Sequence, residues 1–150
     1  MKKRFSFSTI CVGGMLLLGA CHPTASNTSS VSVEKMEGYP APDTCLVKGV
    51  SALYAGTLDG QLVMAGGCNF PNVPVADGGK KVFYDGIYVA PLSEGTTLDW
   101  KLVGLLPEAS AYGVTVATEE GLICVGGNTA SRSLSDVYRL SLKEGVAQMD

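Results

Sequence analysis

The segment "CNFPNVPVADGGKKVFYDG", residues 68–86, gathers a carboxylate and two ammonium groups within five positions, Asp77, Lys80 and Lys81, with Asn69 and Tyr84 at its ends. Acid and cation side by side are the types used for proton transfer and anion binding. Taken alone, "GGKK" also suits a solvated turn, and Asp77 before Gly78 suits turn formation. The cysteines allow less. Cys45, Cys68 and Cys124 follow the leader in odd number, no CxxC or Cys/His spacing suggests zinc, and the only histidine, His22, lies far from them. A nucleophilic cysteine therefore lacks a base. Cys124, inside an apolar run, reads as a small buried hydrophobe.

These side chains need a scaffold, and the chain describes one twice. "VMAGGCNF" at 63–70 is answered by "ICVGGNTA" at 123–130. Upstream of each glycine pair stand a strand, a tight turn ("LDGQ", "EEGL") and a second strand, with Gly60 and Gly121 supplying the positive φ of a hairpin turn. Val114 and Val116 alternate with Thr115 and Ala117, the period of a half-buried strand. Downstream, "YDGIYVAPL" at 84–92 answers "SDVYRLSL" at 135–142, so Tyr88 and Tyr138 are equivalent packing positions. Trp100, Leu102 and Val103 mark a fourth strand. The period of sixty is near that of kelch repeats once a ten-residue insertion in the first copy is allowed for. The fold class predicted is all-β, with about two four-stranded antiparallel blades.

The ends are of another character. Residues 1–21, "MKKRFSFSTICVGGMLLLGAC", have a basic head and a short apolar stretch, a secretory leader too short to span a bilayer comfortably. Its end resembles a lipoprotein box, which makes Cys21 the lipidated first residue of the mature chain. Residues 22–44 are rich in Ser and Thr and read as a flexible tether. The blades are then 45–110 and 111–150, the second breaking off at "GVAQMD" before its fourth strand is complete. Without the leader the charge balance is 8 − 14 = −6, because Lys2, Lys3 and Arg4 leave with it. No basic patch offers itself to nucleic acid.

Strand, Gly-Gly, variable loop, aspartate, tyrosine and tryptophan resemble the kelch motif of β-propellers. "AGGCNFPNVPVADGGKKVFYDGIYV" with "LPEASAYGVTVATEEGLICVGG" further resembles the N-acetylneuraminate mutarotases, or epimerases, over about residues 49–142. In the enterobacterial enzymes this pair of blades lies at the C-terminal end; here it follows the leader, the order of the cyclically permuted mutarotase subfamily. The resemblance implies a six-bladed propeller that interconverts the α and β anomers of free sialic acid with no metal or organic cofactor. Two blades cannot close a ring. The expectation is a truncated product whose missing blades belong to a longer parent chain; the alternative is three such chains assembled into one propeller.

The resemblance also places the loops after the glycine pairs, and those entering the next blade, on one mouth. Asp77 with Lys80 or Lys81 are then the candidate proton-transfer and carboxylate-binding groups. Asn69, Tyr84, Ser110, Tyr112, Asn128 and Arg132 are candidate sugar contacts. Two departures stand out: Ser110 replaces an arginine that precedes "AYG" in those enzymes, and Gly86 stands where an aspartate often does. The partners implied are a small sugar and, through Cys21, a membrane, with the protein lipid-anchored in a Gram-negative cell envelope and facing the periplasm. A non-catalytic kelch module binding a glycan or a protein is the alternative function. Copper-dependent galactose oxidase chemistry would need histidines, and the blades contain none.

Overall fold

The computed structural model describes residues 31–33, 49–92 and 97–150. The leader, Cys21, His22, nearly all of the tether and Cys45 lie outside the described residues. The chain divides into two compact units between Ser32 and Val33, and every strand belongs to the second.

The first sheet is built from β1 (Tyr54–Leu58), β2 (Gln61–Ala65), β5 (Gly86–Pro91) and β6 (Lys101–Leu105), hydrogen-bonded in that order and antiparallel throughout. Between β2 and β5 the chain leaves the sheet to form a small ribbon of β3 (Cys68–Asn69) and β4 (Val82–Phe83), joined through a 3-10 turn at Val75–Asp77. That excursion is the insertion expected from the sequence, carrying a ribbon of its own instead of one extended loop. The second sheet is β7 (Val114–Thr118), β8 (Gly121–Asn128), β9 (Ser133–Lys143) and β10 (Val146–Met149). Here the sequence expectation is corrected. "GVAQMD" does not break the blade off: Val146–Met149 pair with Lys143–Leu140, so all four strands are present.

The repeat holds at the level of backbone conformation. Gly66 and Gly67 have φ of 66° and 95°, and Gly126 and Gly127 have 59° and 113°. Ala52 and Tyr112, also sixty residues apart, are both left-handed at 57° and 66°. The isolated bridges Ser51 to Cys68 and Ala111 to Asn128 repeat the same offset. Tyr88 opposes Met64 and Tyr138 opposes Cys124, each two residues before its glycine pair, as the aligned motifs predict. The hairpin turns differ. Asp59 and Gly60 are both left-handed, the pattern of a primed turn, whereas in the second hairpin positive φ falls on Gly121, the first residue of β8.

Alternation along the strands builds the core between the sheets. Tyr54, Val63, Ala65, Ile87 and Val89 on one face of the first sheet meet Leu122, Cys124 and Leu140 on one face of the second. Each fully buried Leu, Ile or Val here contributes about 1.5–3 kcal/mol. The approach is close at β1, where a Cβ on Gly56 would stand 2.7 Å from the Leu122 side chain. At the far edge Gly104 of β6 faces Ala147 of β10 in the same way.

Candidate functional site

The glycine pairs end β2 and β8 and turn the chain toward one rim. Gly67 N–H donates to Ser110 O at 2.8 Å and Ser110 N–H to Tyr84 O at 3.1 Å, tying the entry to β7 against the end of β2. A Cβ on Gly66 would stand 2.5 Å from Ser110 O. Only glycine fits that approach.

The rim carries a cluster drawn from both repeats. Lys81, which precedes β4, donates from Nζ to the Tyr112 hydroxyl at 2.5 Å and lies 4.8 Å over its ring and 5.7 Å over that of Phe70. Phe83 meets Tyr112 edge to face at 6.5 Å. The buried Cys68 thiol donates to the same hydroxyl at 3.5 Å. The hydrogen bond to Tyr112 raises the Lys81 ammonium above its ordinary range, so it stays charged in neutral solution.

Beside this cluster runs an open groove of about 530 Å³, lined by Lys81 and Phe83 on one wall, Glu108 at the loop entering β7, and Thr129 and Ser131 on the other. Its size is that of a small-molecule site. Thr129 Oγ1 accepts from the N–H groups of Ser131 at 3.2 Å and Arg132 at 3.1 Å, which fixes the 129–132 turn. Arg132 bonds and ion-pairs with Glu108, linking this turn to the neighbouring loop.

The candidates from the sequence therefore separate. Lys81 and Tyr112 meet, and Arg132 pairs with Glu108, which lines the groove. Lys80 and Asp77 line a different depression with Asn72 and Val73. Asp77 closes a turn there, its N–H donating to Pro74 O at 3.0 Å. Asn69 and Tyr84 bond to one another, the phenol donating to Oδ1 at 2.7 Å, while Asn69 Nδ2 donates to Gly49 O at 2.8 Å. They brace the ribbon. Asn128 bridges to Ala111 through its backbone and reaches Ser133 Oγ at 3.4 Å. Ser110 is 3% exposed and faces inward toward Tyr54. Reasoning from the sequence missed Glu108, Phe83, Thr129 and Ser131. Glu108 lies within the same "LPEASAYG" stretch, two residues before Ser110, and nothing local marks that carboxylate.

Beneath the rim, Tyr54 of β1 donates to Gly126 O of β8 at 2.5 Å and joins the two sheets. Burial pushes its phenol above the ordinary range, an effect partly offset by its bond to Ser110. Tyr54 and Lys81 thus act in the same direction with pH. The unfolded chain loses these protons near 10.0 and 10.5, while the folded protein holds them higher. Stability is full below that range and falls as pH rises through it. Thermal melts across alkaline pH are expected to show this decline, less steep in Tyr54→Phe; an unchanged slope would sink the assignment.

A family model for N-acetylneuraminate epimerase matches residues 20–148. The chain is 33% identical over 118 residues to N-acetylneuraminate epimerase 1 of Escherichia coli O6:H1, covering 75% of this chain and 32% of that protein. It is 36% identical over 113 residues to the N-acetylneuraminate epimerase of Vibrio cholerae, covering 68% of this chain and 28% of that one. The solved structure of YjhT superimposes with a TM-score of 0.60 at 25% identity over 77% of this chain and 33% of its own. The chain thus spans about a third of the length of these relatives. Its two sheets are two blades of a kelch-type β-propeller that does not close within the described residues. By the extent of the match and the repeated glycine-pair blades, the chain belongs to the N-acetylneuraminate epimerase family.

Proposed function

We propose that the groove beside Lys81 binds N-acetylneuraminate, and that the chain supplies this part of the site to a protein that interconverts the sugar's α and β anomers. The observation that carries the reading is the Lys81–Tyr112 contact, which joins the two repeats at the wall of a groove that also holds Glu108. Anomer exchange opens a cyclic hemiketal. A base takes the proton of the anomeric hydroxyl, the anomeric carbon–ring oxygen bond breaks as the carbonyl forms, and an acid protonates the ring oxygen. Rotation and reclosure on the other face give the second anomer.

The residues divide this work. Lys81, kept charged, anchors the sugar carboxylate. Glu108 is the base, and Tyr112 gives its proton to the ring oxygen. Thr129 and Ser131 offer hydroxyls to the polar substituents along the opposite wall. Exchange spectroscopy by NMR, run on this chain and on a longer form carrying the remaining blades, tests the whole. Faster exchange with the longer form is the expected result. Binding without acceleration would favour a glycan-binding module, and neither binding nor acceleration in both forms would overturn the substrate.

The protein is further proposed to sit in the cell envelope, facing the periplasm, through lipid on Cys21. The support is the basic, apolar and small-residue order of positions 1–21. Labelling with a fatty-acid analogue is expected to mark the exported chain and to fail in Cys21→Ser. Label retained by that variant would remove the anchor.

A further inference from the structure

Glu108 and Arg132 meet from two loops, each held close to the side chain that it delivers. On the Glu108 loop, Leu106 N–H donates to Asp85 O at 2.7 Å and Ser110 N–H to Tyr84 O at 3.1 Å, so the chain is fixed two residues to either side. On the other, Thr129 N–H donates to Arg132 O at 2.8 Å, and Arg132 N–H donates to Thr129 Oγ1 at 3.1 Å. Two fixed backbones therefore set the separation of the pair.

The pair is asymmetric. Arg132 Nη2 donates to Glu108 Oε1, and among the described residues Oε2 has no partner. From these two loops the groove wall takes Glu108, Thr129, Ala130 and Ser131, but among the described residues it does not take Arg132. A cation that touches the carboxylate and not the groove acts on a bound sugar through that carboxylate. Both side chains are about half exposed, and an ion pair so open to water contributes little to folding. Its effect is on orientation. A glutamate side chain that could turn about several torsions is confined to one geometry, with one oxygen taken and the other left.

We propose that Arg132 is a positioning residue for proton abstraction: it holds Glu108 by Oε1, so that Oε2 takes the proton of the anomeric hydroxyl. The inference rests on the reading of Glu108 as the base of the anomer exchange. The proton passes from the hydroxyl to Oε2, and the electrons of that O–H bond form the carbonyl. The carbon–ring oxygen bond breaks at the same time, and the ring oxygen receives the proton of Tyr112. Arg132 keeps its own proton throughout.

Anomer exchange followed by NMR over a series of sugar concentrations, in the longer form carrying the remaining blades, tests the assignment. Arg132→Met is expected to slow exchange at saturating sugar by about 100-fold, the scale of a misplaced reacting group, with the saturating concentration and the melting temperature little changed. Arg132→Lys, which keeps a cation, and methylguanidinium added to Arg132→Ala are each expected to restore part of the rate. In a Glu108→Gln background, itself slow, Arg132→Met is expected to add nothing, because the two side chains act as one unit. Full turnover in Arg132→Met overturns the proposal. So does a raised saturating concentration at unchanged turnover, which makes Arg132 a sugar contact. Losses that multiply in the double variant overturn it too, since Arg132 then acts apart from Glu108, as does a lowered melting temperature that neither lysine nor methylguanidinium corrects, the mark of a structural brace. Glu108→Gln at the full rate removes the base itself, and the proposal falls with the reading beneath it, an outcome distinct from all of these because no Arg132 variant is needed to see it.

Discussion

Gly127→Ala is expected to destabilise the protein by about 3 kcal/mol, the sum of left-handed strain of about 1–2 kcal/mol and a forced shift at the junction of the sheets. Its φ is 113°, and a Cβ there would stand 2.5 Å from the Tyr54 hydroxyl and 2.8 Å from Ala111 O. The carbonyl belongs to a backbone pair, since Asn128 N–H donates to it at 2.7 Å, and it cannot move without breaking that bond. Gly78→Ala is the control. Its φ of 82° imposes the same class of strain, yet nothing lies within 4 Å of the added carbon, so about 1 kcal/mol is expected. With a urea slope of about 1.5 kcal/mol/M, the midpoints should fall by roughly 2 M and less than about 1 M. Equal shifts would mean that backbone conformation alone accounts for the repeated glycine pairs. In a Tyr54→Phe background the cost of Gly127→Ala should shrink by about 1 kcal/mol, because the nearest clashing atom is gone while the carbonyl remains.

The same glycines show how much of the fold was legible in the sequence. Residues 66–67 and 126–127 recur with their flanking strands, and strand pairing is set by period and turn chemistry, which a sequence displays. Hence Tyr88 and Tyr138 took equivalent positions, and Cys124 went to the core. The fourth strand of the second sheet was misread because "VAQM" has little β-branched character, and its pairing with Leu140–Lys143 supplies what propensity does not. The rim was harder. Lys80 and Lys81 are neighbours of one type, and their division between two depressions rests on contacts distant in sequence, such as that of Lys81 with Tyr112, thirty-one residues on. Glu108 reaches the groove through its pairing with Arg132, twenty-four residues on, a contact that no local pattern encodes. Ser110 points the other way for a related reason: its backbone bonds to Gly67 and Tyr84 fix the loop, and the side chain is left facing Tyr54.

Tyr112→Phe separates catalysis from architecture at this rim. The left-handed backbone of Tyr112 is shared with Ala52, so the conformation belongs to the repeat, and the ring's edge contact with Phe83 survives loss of the hydroxyl. The residue is also half exposed. The variant should therefore fold normally. What it loses is the oxygen that accepts from Lys81 and Cys68 and, in the proposed reaction, the proton given to the ring oxygen. In the longer form carrying the remaining blades, anomer exchange is expected to slow by about 10²–10⁴-fold at saturating sugar, the range for loss of a positioned acid, with little change in the concentration needed to saturate. Lys81→Met should show the opposite division. Removing the cation weakens capture of the sugar carboxylate, so the saturating concentration rises by about tenfold or more, consistent with loss of a charge-assisted bond of about 1.5–3 kcal/mol. Exchange spectroscopy over a series of sugar concentrations reads both quantities from one set of samples. Were Tyr112→Phe to keep the full rate, the phenol would be a packing residue and the acid would have to come from elsewhere on the ring. Were Lys81→Met to slow turnover without weakening binding, the ammonium would be acting through Tyr112, and the carboxylate anchor would pass to Arg132, the cation paired with Glu108 of the groove.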